Sequence, residues 1–375
     1  MTEYEECDSE SRMSASNTSL SRIIVVYLSR EFLRTFCLCL LFLWTLALLI
    51  DFFDRLDDFI RQDADVVAVL RYFLFKAPLF VSQMAPAAAL TGSLLSLSLL
   101  SRNRELLALK ACGFSTVQIA CPLLFVAVLL SGCVLVWNEL IVPSAFHKAR
   151  AINSEEIKKK PVRGFFDERG FWYHGENAFY HIEHFDPKAG VLSGLTVYRL
   201  DDQFQVRSLA EISRAYWREG KWECENFQER TLAVTGVSPT QPCNSLLRET
   251  PDDFAIVALE AEEFSSQQLR QYIVDLQRRG LDTTVYQVDL YLKGALPLAI
   301  FAMTLLGLSL AVPGAKQLTL ATSLGFALVV GFGYWVLLGL ATSLGQSGAL
   351  PPLFAAWAAN GIYLLVATTL FLSSD

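Results

Sequence analysis

Residues 101–115 read SRNRELLALKACGFS, which sets one carboxylate, Glu105, among Arg102, Arg104 and Lys110. The spacing predicts a short charged helix over 101–113, opened by Arg102 and Arg104 and closed by Lys110, with Gly113 ending it at positive φ. Leu106, Leu107 and Leu109 make an apolar stripe of about one and a half turns. Glu105, near the start, suits the helix dipole and is left able to pair with an arginine of another molecule. A helix this short is marginal alone, so it has to rest on a membrane surface or a partner. The plainer alternative is a basic loop that only sets membrane topology.

Other chemistry is sparse. The patterns GxxxxGK[ST], GxSxG and HExxH are absent, so any nucleotide-driven work needs another chain to hydrolyse the nucleotide. His174, His181 and His184 come closest to a metal set. On a strand, His181 and His184 face opposite sides, which favours solvated or ring-stacked roles, and no metal site is expected. The run DFFDRLDDFIRQDAD at 51–65 sets Asp51, Asp54, Asp57, Asp58, Asp63 and Asp65 against Arg55 and Arg61. It reads as a charged collar that keeps this end outside a bilayer, in preference to a cation or substrate mouth.

The elements that must position these residues are mostly apolar. The 375-residue chain is 53% hydrophobic, with a mean hydropathy of +0.37, and the excess is gathered into long runs that read as membrane spans. The net charge of −7 argues against nucleic acid as a partner. The polar segment 1–20 reads as a disordered cytoplasmic tail, and 21–34 as an amphipathic interfacial helix that runs into the first span. The second span, 66–100, carries Arg71 and Lys76, placed to snorkel outward, and is expected to kink at Pro78 and Pro86. The third covers 114–137. Residues 287–312, 318–343 and 353–372 make three more spans, with a tight turn at 313–316. Gly325, Gly331, Gly333 and Gly339 stud the fifth, where packing is favoured over a mobile gate.

Between the two triplets, 138–281 is different material. Strand-sized segments rich in aromatics alternate with Gly, Asp, Asn and Pro signals. They read as one all-β domain, sandwich-like or jelly-roll-like, tethered by helices near 144–158 and 265–279. Cys37, Cys39, Cys112, Cys121 and Cys133 lie in or beside the spans and read as small packing residues. Cys224 and Cys243 could pair if the middle region is extracytoplasmic. Arg22, Arg30, Arg34, Arg102, Arg104, Lys110 and Lys316 all fall on one side of the spans. The opposite short loops carry only Arg55 and Arg61. Both termini and 101–113 are therefore placed in the cytoplasm, and the β domain across the membrane. The expected fold is a membrane protein of six transmembrane α-helices, three plus three, with an inserted extracytoplasmic all-β jelly-roll-like domain. Its divisions are 1–20, 21–137, 138–281 and 282–375.

This layout resembles the LptF/LptG permease family over nearly all of the chain from residue 21. The resemblance rests on RNRELLALKACGFS, on YQVDLYLKGALPLAIFAMTLLGLSLAV, and on LGQSGALPPLFAAWAANGIYLL with Gly348, Leu350, Pro351, Pro352, Trp357 and Asn360. The stretch QQLRQYIVDLQRRGLDTTVYQVDLYLK looks more like the LptG branch than LptF. The family implies a non-catalytic permease subunit of an ABC transporter in the bacterial inner membrane, extracting lipopolysaccharide. It implies a second, LptF-like permease and an LptB-like ATPase dimer, which holds the ATP while this chain binds no cofactor directly. It also implies LptC- and LptA-like proteins that receive lipid from a periplasmic β domain. The resemblance makes Arg102, Arg104, Glu105, Leu106, Leu109 and Gly113 an ATPase-coupling helix, with Leu106 and Leu109 filling the ATPase groove. It makes spans one and five a lateral gate and cavity, with Phe36, Leu40, Leu43, Ala47, Asp51, Arg55, Gly325, Gly331 and Gly333 as candidates. A mouth for phosphorylated lipid should be cationic, and Asp51, Asp57 and Asp58 depart from that. The alternative is a membrane-anchored receptor or assembly protein whose β domain binds a partner, although six spans exceed what an anchor needs. An intramembrane enzyme acting on lipid would need ionisable residues deep in the spans, which spans three, five and six lack.

Overall fold

The computed structural model describes residues 3–157, 164–167, 170–174, 178–186, 190–200, 206–218, 221–231, 247, 261–278, 282–311 and 320–373. The chain divides into two compact units: 1–56, 73–146 and 261–375 form the first, and 57–72 with 147–260 form the second. The turn expected at 313–316 lies outside the described residues.

The helices are α1 (Glu3–Arg61), α2 (Val66–Arg102), α3 (Glu105–Ala111), α4 (Thr116–Leu140), α5 (Val142–Ile152), α6 (Ser266–Arg278), α7 (Thr284–Ala311), α8 (Leu320–Gln346) and α9 (Pro352–Leu372); all lie in the first unit except the end of α1, the start of α2 and the second half of α5. Six of these helices are long and apolar enough to cross a membrane: α1, α2, α4, α7, α8 and α9. Helix α1 includes the polar segment expected to be disordered. Residues 3–20 contain no Gly or Pro, so a helix nucleated in the apolar part propagates through them at one hydrogen bond per residue.

Small residues let the helices of this unit approach closely. A Cβ on Gly92 would sit 2.9 Å from the Phe36 Cα, and one on Gly307 would collide with the Ser93 hydroxyl. These are the contacts expected of small residues in spans, but they fall in α2 and α7. In the fifth span, Gly325, Gly331 and Gly339 have open space where a Cβ would stand, and Gly333 meets only the Tyr363 hydroxyl. The close-packing role predicted for that glycine series therefore belongs elsewhere. The cysteine expectation also changes. Cys37, Cys112, Cys121 and Cys133 are exposed and only Cys39 is partly buried, because the packed faces are already filled by Leu28, Phe32, Leu90, Leu94 and Leu97.

Polar side chains stitch α7, α8 and α9 together. Asn360 donates to the Ala295 carbonyl at 2.6 Å and accepts from the Tyr334 hydroxyl at 2.9 Å. Tyr363 donates to the Val330 carbonyl at 2.8 Å, and Ser309 to the Ala367 carbonyl at 2.8 Å. Ser98 of α2 and Ser323 of α8 share a buried hydrogen bond of 2.6 Å. Glu139, at the end of α4, accepts the Ser266 N–H at 3.0 Å, so its carboxylate satisfies a donor in the first turn of α6.

The second unit contains one antiparallel sheet in sequence order, β1 (Gly164–Asp167), β2 (Gly170–His174), β3 (Ala178–Asp186), β4 (Val191–Leu200), β5 (Val206–Arg218) and β6 (Lys221–Thr231). Alternation buries Tyr180, Ile182, Leu195, Val197, Ala210 and Ile212 on one face, with Ile182, Leu195 and Ile212 in cross-strand register. The described strands thus form a single meander. A jelly roll needs a second sheet and long crossovers, and neither is among the described residues. Cys224 on β6 is disulfide-bonded; Cys243 lies outside the described residues.

Candidate functional site

The short charged helix exists, but with narrower bounds. Arg102 is the last residue of α2, and Arg104 stands in the turn before α3 with φ +63°. Helix α3 begins only at Glu105. A left-handed, non-glycine residue interrupts the helical ladder there. The far end is as predicted. Gly113 has φ +89°, and the N–H groups of Gly113 and Phe114 return to the carbonyls of Lys110 and Leu109 at 3.0 and 3.1 Å. Phe114 and Leu109 both pack on the membrane core. The two backbone bonds make this a Schellman stop. Two residues on, Ser115 and Gln118 form a reciprocal capping box that opens α4. Helix α3 is therefore a rigid short element fixed at both ends.

Its orientation corrects the sequence reading. Leu106 is buried in the membrane unit's own core and Leu109 packs partly against it. Leu106 is thereby closed to a groove on another molecule, while Leu109 keeps part of its surface exposed. Leu107 points the other way and is 68% exposed. Ala108 and Ala111 are exposed beside it. Glu105 accepts a 2.7 Å hydrogen bond from the Tyr27 hydroxyl of α1 and one of 3.2 Å from the Asn103 side-chain amide. Neither Tyr27 nor Leu107 was singled out from the sequence as a partner-facing or site residue.

At the far end of α1, Asp51 is not an isolated acid. Lys76 of α2 reaches its two carboxylate oxygens at 2.7 and 2.9 Å, and Arg55 lies 3.2 Å from one of them. Lys76 is 7% exposed and sits over the Phe80 ring, so the outward snorkelling expected of it does not occur. Burial of an ammonium demands a paired carboxylate, and Asp51 supplies it. The sequence held a usable signal: Asp51 and Lys76 stand equally far from the turn that joins α1 to α2, which gives them the same depth in an antiparallel hairpin. Arg71 pairs with Glu156 at 3.0 Å within the second unit. The acidic run read as a charged collar is therefore partly neutralised at Asp51, with Asp57 and Asp58 left exposed.

The remaining gate candidates are distributed along α1 and α8. Phe36 is buried against Gly92. Leu40, Leu43 and Ala47 are half-buried along α1, Gly325 is exposed, Gly331 buried and Gly333 half-buried along α8. Both helices present broad apolar outer surfaces, with Phe42, Leu46 and Phe53 exposed on α1 and Phe326, Val329 and Phe332 on α8. Such surfaces suit lipid or another membrane helix.

Comparison with known proteins agrees with this architecture. A family described as lipopolysaccharide export system permease LptF/LptG matches residues 26–373. The lipopolysaccharide export system permease protein LptG of Escherichia coli K12 is 24% identical over 355 residues, covering 92% of this chain and 97% of that protein. The corresponding protein of Haemophilus influenzae is 21% identical over 347 residues, covering 91% and 95%. With six spans, an inserted antiparallel sheet and a family match from the first span to the last, the chain belongs to the LptF/LptG permease family.

Proposed function

We propose that α3 is the point at which a separate ATPase drives this lipopolysaccharide-export permease subunit. Family membership makes the chain a multi-pass permease subunit; the drive, its partners and its sidedness are the proposal. The observation that carries it is the build of α3. This seven-residue helix is rooted by Leu106, presents Leu107 outward and holds a half-buried Glu105 at its start. A rigid element with an apolar anchor and a carboxylate fits a groove lined by apolar and basic residues.

In this reading the chain lies in the bacterial inner membrane, with α3 cytoplasmic and the sheet periplasmic. It is the LptG-like partner of an LptF-like permease above an LptB-like ATPase dimer. ATP stays on the ATPase, and this chain catalyses nothing. Closure of the ATPase pair moves α3, and packed helices transmit the shift. The apolar outer faces of α1 and α8 then form the lateral gate, with Leu40, Leu43, Ala47, Gly325, Gly331 and Gly333 along it. Lipid passes to the sheet and on to LptC- and LptA-like proteins by strand-edge docking. Lys76 and Arg55 together offset Asp51, so this one carboxylate adds no net negative charge facing a phosphorylated cargo.

Glu105→Lys tests the assignment. The variant should insert and fold as the parent does but lose lipid export driven by ATP in reconstituted vesicles. Full export by Glu105→Lys would show that α3 is not the coupling element.

A further inference from the structure

Helix α1 is the least buried of the six candidate spans in this chain. Its described polar ties to α2 are few. Thr35 donates to the Gly92 carbonyl at 3.1 Å, Trp44 to the Ala77 carbonyl at 3.1 Å, and Asp51 pairs with Lys76. At its other end one hydrogen bond reaches a different element: Tyr27 to Glu105, 78 residues apart in sequence. Tyr27 stands beside Leu28, which is buried in the same core that holds Leu106. Leu28 anchors this turn of α1 in the core, and the hydroxyl of the exposed Tyr27 beside it meets the first residue of α3.

We propose that Tyr27 is a positioning residue that couples α3 directly to α1, so that displacement of α3 is delivered to α1 without passing through α2. The inference rests on the reading of α3 as the ATPase-driven element and adds the route by which that drive reaches the first span. The chemistry permits it. A carboxylate has about four acceptor positions, and Tyr27 and Asn103 occupy one on each oxygen, so a basic group of the ATPase can share Glu105 without displacing the phenol. Drawing Glu105 towards the ATPase then draws the cytoplasmic end of α1 with it. The covalent link of α3 runs to α2 through the Asn103–Arg104 turn, whereas the Tyr27 hydrogen bond reaches α1 directly.

Tyr27→Phe removes the hydroxyl and keeps the ring, and Tyr27 is 45% exposed, so the fold should survive. Two readouts decide. In the purified full-length chain, amide hydrogen exchange across 105–111 should quicken by on the order of threefold on loss of one charge-assisted hydrogen bond at an exposed site. In vesicles containing the whole transporter, Tyr27→Phe should keep the parental ATPase rate and ATPase co-purification while moving severalfold less lipid per ATP hydrolysed. A merely structural tyrosine would not separate those two rates. Parental exchange in α3, or a parental ratio of lipid to ATP, overturns the proposal. Failure of any ATPase to bind the parent chain would instead sink the docking reading, and the exchange result would still decide whether Tyr27 restrains α3.

Discussion

Replacing Asp51 with asparagine removes the carboxylate that Lys76 and Arg55 share. Lys76 lies 2.7 Å from Asp51, with the two side chains 8% and 16% exposed. Breaking a buried ion pair by removing one partner costs about 3–5 kcal/mol, because the other charge stays buried without its counter-ion. The residual exposure of Asp51 places this site toward the lower end of that range. Lys76→Met is the informative contrast. It leaves Asp51 with Arg55 at 3.2 Å, and Arg55 is 38% exposed, so the surviving pair is partly solvated and the expected cost is about 1–2 kcal/mol. The double change Asp51→Leu with Lys76→Met removes both buried charges and should recover most of the loss. Denaturation in mixed detergent micelles, followed by tryptophan fluorescence, ranks the variants. The order predicted is parent, then the double variant close to Lys76→Met, then Asp51→Asn. An Asp51→Asn variant as stable as the parent would refute the buried pair.

Gly307→Ala should destabilise by about 1–3 kcal/mol, since the new methyl collides with the Ser93 hydroxyl; pairing it with Ser93→Ala should relieve part of that cost in the same denaturation assay. Asn360→Leu leaves the Ala295 carbonyl and the Tyr334 hydroxyl without their partner, at about 1–2 kcal/mol within a membrane. A loss confined to stability, with the lipid moved per ATP unchanged, would mark this network as scaffold. Leu107→Asp should abolish ATPase co-purification with parental stability, whereas Leu106→Asp buries a carboxylate in the core and should cost several kcal/mol; the reverse ranking would show that α3 faces the other way.

The spans were legible because apolar runs of this length have few other solutions, and β3 to β6 were legible from aromatic and β-branched segments bounded by turn residues. The stop at Gly113 could be read because glycine is the usual residue for a left-handed helix end. The start of α3 could not. Arg104 adopts a left-handed backbone that arginine rarely takes, so nothing in SRNRELL announces a break after Arg102. The facing of Leu106 was equally hidden. Three leucines at 106, 107 and 109 fit a helix against a partner or against the parent chain, and only the packing of α3 on the membrane core selects between them. Lys76 was assigned by its position near a span end, yet a carboxylate 25 residues earlier decided its fate. The first 20 residues were judged on composition, which misses helix propagation from the neighbouring span.

The account depends most on α3 and the sheet lying on opposite sides of the membrane. Cys112, exposed at the end of α3, is a native probe for one side, and Glu183→Cys, at an exposed position on β3, is a probe for the other. Each would be carried as the sole reactive cysteine in spheroplasts treated with a membrane-impermeant maleimide. The prediction is that the β3 cysteine is labelled at once and Cys112 only after permeabilisation. Immediate labelling of both, or of neither, would put them on one side and contradict a lever driven from the cytoplasm.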